Sequence, residues 1–174
     1  MALYQVELKL SDPSAQNAAA VIAQLESVVR AGGDELIESQ VTANHSQLFA
    51  ILEGEACANL KLDPAQLPGV SEVDGPHEVR LVGADLADIK AARPAAGYLV
   101  EWDIPAEITM DQYLARKAEK SPLYAQVPQV SFERTYVRED TAKCLCFYNA
   151  ESAEEVRVAR EVVSTPISRL HELG

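Results

Sequence analysis

Leu3-Tyr4-Gln5-Val6-Glu7-Leu8-Lys9-Leu10 and Gly97-Tyr98-Leu99-Val100-Glu101-Trp102-Asp103-Ile104 are two versions of one segment, with their tyrosines 94 residues apart. The correspondence continues outward. Glu35 to Val41 aligns with Ser131 to Val137, and Leu48 to Glu55 with Cys144 to Glu151, at an offset of 96. A register held over that length indicates duplication, so the chain is read as two copies of one unit. In each opening segment the residues alternate: Tyr4, Val6, Leu8 and Leu10 on one face and Gln5, Glu7 and Lys9 on the other, as a half-buried strand requires.

The elements that follow predict the unit. After the first strand, Asp12-Pro13 reads as a helix start, with Asp12 as cap and Pro13 at a position that needs no N–H. Val21, Ile22, Leu25, Val28 and Val29 then recur at helical spacing, and Gly32-Gly33 closes the helix. Strands near 36–42 and 46–53 flank the turn Ala43-Asn44-His45. Residues 56–67 form a weaker helix candidate, bounded by Pro64 and Pro68, and a last strand near 77–82 follows the turn formers Asp74-Gly75-Pro76. The second copy repeats the series: a strand at 98–104; Thr109 to Gln112 with capping-box spacing before a helix through about Lys120; strands near 130–138 and 143–149; a second capping box at Ser152 to Glu155; and a final strand at 167–173. Strand, helix, strand, strand, helix, strand is the ferredoxin-like order. The fold class expected is therefore α+β, with tandem ferredoxin-like βαββαβ repeats at 1–83 and 97–174 joined by an alanine-rich linker at 84–96. Because each sheet carries helices on one side only, the bare sides are expected to pack together as a pseudo-dimeric α/β barrel with a ligand cavity between them.

Composition narrows the function. Acidic residues outnumber basic ones 27 to 15, for a formal net charge of −12, which argues against nucleic acid as a partner because phosphate binding relies on basic patches. No apolar stretch reaches membrane-spanning length, and the first residues lack the pattern of a secretion signal. Three unevenly placed cysteines do not make a disulfide framework, so a cytoplasmic, reducing location is expected.

Candidate chemistry follows from residue type and face. Glu7 and Glu101 occupy matching positions on the presumed inner face, where desolvation can raise a carboxyl pKa enough for acid or base work. Arg134 and Tyr136, on a strand face shared with Phe132 and Arg138, offer a charge and a hydroxyl; a Glu101–Arg134 ion pair is the structural alternative. Cys144 and Cys146 share a strand face and suit either core packing, like their repeat partners Leu48 and Ala50, or a soft ligand. Trp102 is read as core. Glu7, Glu101, Arg134, Tyr136 and Cys146 are the candidate ligand-binding residues, with no catalytic or metal-ligating residue assigned.

Several stretches of the second copy together, Tyr98 to Glu101, Met110-Asp111-Gln112-Tyr113-Leu114, Val130 to Val137 and Lys143 to Val156, resemble an uncharacterised-domain family of ferredoxin-like proteins that includes a nickel-binding protein of Streptomyces. The resemblance implies the same fold and, in nickel-binding members, a histidine site formed after the first strand and on the two helices. The corresponding region here has Trp102, Lys117, Arg160 and Thr165, while His45, His77 and His171 lie elsewhere. None of the four supplies an imidazole, the donor that suits nickel, and the cofactor is left unassigned.

The reading reached is a non-catalytic binding protein for a small molecule or metal, either monomeric with pseudo-twofold symmetry or homodimeric. The alternative is an enzyme of the dimeric α/β-barrel type, an isomerase or cofactor-free oxygenase using Glu101 or Tyr136. A third possibility is an interaction module whose acidic first copy meets a basic partner.

Overall fold

The computed structural model describes residues 2–92 and 95–174. The chain divides into two compact units. The first runs to Val79 and includes the segment beginning at Ile89 and Leu173–Gly174; the second takes Arg80–Asp88 and continues to Glu172. Arg93-Pro94, within the expected linker, lies outside the described residues. Elsewhere in that linker, Leu86–Ala92 forms helix α2. Among the described residues, no helix is long and apolar enough to cross a membrane.

In the first unit, β1 (Leu3–Leu10), β2 (Glu35–Val41), β3 (Gln47–Glu53) and β4 (Val70–Val82) lie in the order β2-β3-β1-β4. Helix α1 (Ala15–Ala31) places Ala18, Val21, Leu25 and Val29 against Tyr4, Val6, Leu8 and Leu10, the face that alternation selected. Its cap is Ser14 rather than Asp12: Ser14 Oγ accepts from the Asn17 N–H at 3.1 Å and donates to Asp12 at 3.0 Å. A hydroxyl two residues nearer the first turn reaches the orphan amide that Asp12 does not. Gly33, at φ +88°, closes the helix in the left-handed region that glycine enters without steric penalty. Two further expectations are corrected. Residues 56–67 form no α-helix but two 3₁₀ turns, Ala56–Asn59 and Pro64–Gln66, because Asp63 caps a helix that starts at Pro64 and ends within a turn. Asp74-Gly75-Pro76 does not precede a strand but lies inside β4, where Gly75 at φ +111° absorbs a bulge between Gln5 and Glu7 of β1.

The second unit is the more complete copy. Here β5 (Tyr98–Asp103), β6 (Ser131–Arg138), β7 (Lys143–Asn149) and β8 (Arg169–Glu172) are ordered β6-β7-β5-β8, the same arrangement as in the first unit. Two α-helices, α3 (Met110–Lys120) and α4 (Ala153–Val162), complete the βαββαβ series. Thr109 and Gln112 form the full capping box. At Ser152 only half of it forms: Ser152 accepts from the Glu155 N–H, but Glu155 accepts from the Glu151 N–H instead of reaching back to Ser152.

The duplication extends to irregularities. Ladder partners Val6–Ala50 and Leu8–Leu48 of the first unit recur as Val100–Cys146 and Trp102–Cys144. The β2–β3 ladder slips between Leu36 and Glu38, and the β6–β7 ladder slips at the equivalent place, between Phe132 and Arg134. This bulge corrects one facing assignment. Phe132 joins the helix-side core with Tyr148, while Arg134 and Tyr136 stand on the opposite face with Phe147 and Leu145.

Candidate functional site

Both faces of the second unit's sheet carry buried polar chemistry. On the helix-free face, Glu101 is 1% exposed and meets three nitrogen groups: Lys143 Nζ at 2.5 Å, His171 Nε2 at 2.6 Å and Arg169 Nε at 2.9 Å, with Arg169 also forked onto Asp103. Burial alone pushes the carboxyl upward, but the bonds from His171, Lys143 and Arg169 outweigh it and hold the pKa down to about 2. The expected raised pKa is therefore corrected: at neutral pH Glu101 is a carboxylate. Arg134 lies over the Phe147 ring at 4.9 Å, and Tyr136 meets the same ring edge-on at 6.0 Å. Glu7, the repeat partner of Glu101, accepts from Gln5 at 2.7 Å. Gln47 Nε2 also donates to Glu7, at 3.5 Å.

Cys146 lies on the other face, under the helices, so the structure does not bring it together with Glu101, Arg134 and Tyr136. Three donors converge on its sulfur: Thr135 Oγ1 at 3.2 Å, Arg160 Nη1 at 3.6 Å and Cys144 Sγ at 3.9 Å. The Cys144 thiol, donating to Cys146, lowers the Cys146 pKa, and Lys117 and Arg160 add to the effect; the shared proton raises Cys144 in turn. Arg160 also donates to Tyr148 Oη at 3.1 Å and to the Pro166 carbonyl at 2.6 Å. Tyr148 Oη meets Tyr124 Oη at 2.6 Å, and Tyr124 stacks on Phe132 at 5.3 Å.

Cys144, Cys146 and Arg160 form the floor of a narrow cavity of about 30 Å³, roughly the room taken by one or two water molecules. Trp102, Tyr113 and Val163 make its apolar side, Ser121, Tyr124 and Thr165 bring hydroxyls, and Arg116, Lys117, Lys120 and Arg160 bring charge. Local sequence explains the assembly. Tyr113, Arg116, Lys117 and Lys120 recur at helical spacing along one stripe of α3, and Val156, Ala159, Arg160 and Val163 do so along α4 and its cap, so an arginine is carried into an apolar seam. Trp102, Lys117, Arg160 and Thr165, the residues standing where the resemblance implies a histidine site, all line this one cavity. Arg116 and Lys120 were not singled out from sequence, though the α3 stripe signals them; Tyr124, in the 3₁₀ turn Ser121–Gln126 after α3, carries no such signal.

Comparison with known proteins extends the description. Residues 98–173 match the family described as "Nickel responsive protein SCO4226-like". The crystal structure of SCO4226 from Streptomyces coelicolor A3(2) aligns at 21% identity and TM-score 0.38 over 44% of this chain and 94% of that one. Putative chlorite dismutase TA0507 aligns at 12% identity and TM-score 0.59, covering 100% and 95% of the two chains. A putative monooxygenase from Lactobacillus acidophilus NCFM gives 7% and 0.52, covering 99% and 92%. No curated protein matches. The whole-chain likenesses carry the fold alone: α+β, ferredoxin-like, of the α/β-barrel type, with the second unit similar to the nickel-responsive family.

Proposed function

We propose that this chain is a small-ligand-binding protein, and that its binding site is the cavity beneath α3 and α4 of the second unit. The observation that carries the reading is Arg160, 3% exposed, lining the cavity with an Nε that has no hydrogen-bond partner among the described residues. A buried guanidinium costs several kcal/mol in desolvation unless its charge is matched, and an incompletely satisfied one on a cavity wall supports a ligand that completes it. Of the residues named from sequence, Cys146 belongs to this floor. The functional units are taken as 1–83 and 97–174 joined by 84–96, in a cytoplasmic protein whose three free thiols stay reduced.

The matched family is described as nickel-responsive, and the cavity is a poor nickel site. Among the described residues, no group of three or more His, Cys, Asp or Glu side chains is arranged to hold a metal ion. The two thiols at the floor are faced by arginine and lysine side chains that repel a cation. A second reading, an enzyme of the dimeric α/β-barrel type using Glu101 or Tyr136, is weakened by the ion pairs on Glu101: a carboxylate whose pKa they hold down to about 2 is a poor base at neutral pH. Solved structures of similar fold carry the names chlorite dismutase and monooxygenase, each prefixed "putative".

Native mass spectrometry of freshly purified protein tests the binding reading. An adduct that leaves on denaturation is expected, and a bare mass across several gentle preparations overturns it.

A further inference from the structure

The charge of the cavity runs against that of the chain. A protein of formal net charge −12 brings Arg116, Lys117, Lys120 and Arg160 to one narrow space that no carboxylate lines. None of the four forms an ion pair with a carboxylate among the described residues. Their recorded partners are neutral or aromatic: Arg116 donates to the Ser164 carbonyl and lies 5.7 Å from the Trp102 ring centroid, and Lys117 stands 4.4 Å over the Phe132 ring. Elsewhere in the chain basic side chains are spent on acidic ones, as Arg80 is on Glu139 and Lys90 on Glu53.

We propose that this cavity binds a compact oxyanion, anchored by Arg160 and flanked at the α3 side by Lys117 and Lys120. The inference rests on the reading of the cavity as the binding site and names the class of ligand. Charge-assisted hydrogen bonds from guanidinium and ammonium groups are the strong contacts for carboxylates and for tetrahedral oxyanions alike. Ser121, Tyr124 and Thr165 add neutral hydroxyls at the same wall. A space of about 30 Å³, the room of one or two waters, takes one or two oxygens of a short carboxylate or an inorganic oxyanion, with the rest of the ion at the open side. The cationic lining thus replaces metal affinity with its electrostatic opposite within a unit whose sequence matches a nickel-responsive family.

The test uses the full chain in phosphate-free, low-salt buffer, titrated separately with sodium phosphate, sodium sulfate, sodium acetate and nickel chloride while amide resonances are followed. At least one anion is expected to shift Lys117, Arg160 and Thr165 saturably; phosphate or sulfate identifies a tetrahedral ligand, acetate a carboxylate. Lys117→Gln, at a half-buried side chain outside the core, is expected to weaken that binding roughly tenfold, the size of one charge-assisted contact. Lys120→Gln is expected to weaken it less. Absence of saturation by every anion overturns the proposal, as does saturation that both variants leave unchanged, or nickel shifting these residues where anions do not. If a neutral adduct seen by native mass spectrometry maps to these resonances, the binding site stands and the oxyanion falls. If every probe is silent and the mass is bare, both fall.

Discussion

Glu101 condenses what a single residue contributes. Alternation placed it on the face opposite the helices, and duplication paired it with Glu7, but neither could reveal that Lys143, Arg169 and His171 converge on it from β7 and β8. Replacing it, as Glu101→Gln, leaves Lys143 and Arg169 without this buried carboxylate, and we expect a loss of about 2–3 kcal/mol in urea unfolding at pH 7. The pH dependence has a definite sign. The folded pKa of about 2 lies below the ordinary carboxyl value of 4.5, so the stabilisation is complete above pH 4.5 and drains away as pH falls toward 2. Wild-type protein should therefore lose urea resistance across that window more steeply than Glu101→Gln; parallel curves would refute the linkage. Cys57 makes a second test. Burial, followed by its bond to Asp34, pushes its thiol up to about 12, so a thiol reagent at pH 8 should leave it unmodified until the chain unfolds.

At the scale of elements, caps decide where helices begin, and they divide into those legible from spacing and those that are not. Thr109 and Gln112 were readable because the capping box is a fixed four-residue pattern. Ser14 was not, because Asp12, Ser14 and Pro13 all belong to the vocabulary of helix starts and only backbone geometry selects which oxygen meets the Asn17 amide. Ser14→Ala should cost about 1 kcal/mol, and Asp12→Ala measurably less, since Asp12 acts through the Ser14 hydroxyl; reversed costs would restore Asp12 as the cap. Thr109→Ala should likewise cost about 1 kcal/mol. Hydrogen exchange should quicken first in the opening turn of α3, which leads into the Arg116, Lys117 and Lys120 stripe. The missing second helix of the first unit is equally local in origin: prolines at 64 and 68 shorten it to a turn. Without a counterpart of α4 there is no counterpart of Arg160, and the cationic cavity belongs to one copy only.

For the whole molecule, the two copies share strand order and even a bulge, yet divide their chemistry. The positions of Leu48 and Ala50 became Cys144 and Cys146, and the apolar seam of the second unit acquired an arginine. The anion reading of the cavity predicts a fold that does not depend on a divalent metal. Chelation with EDTA should leave the thermal midpoint unchanged, and added nickel should not raise it; a fall of several degrees on chelation would expose a metal that supports the fold. The sequence by itself determined the duplication, the α+β class and the faces of the strands, because period-two alternation and repeat register are properties of neighbouring residues along a chain. Only the tertiary structure decided which buried charges meet. Arg160 and Lys117 were visible as departures from a histidine pattern, but their convergence on Cys146, and the absence of any carboxylate beside them, depend on distances between residues far apart in sequence, which no local pattern encodes.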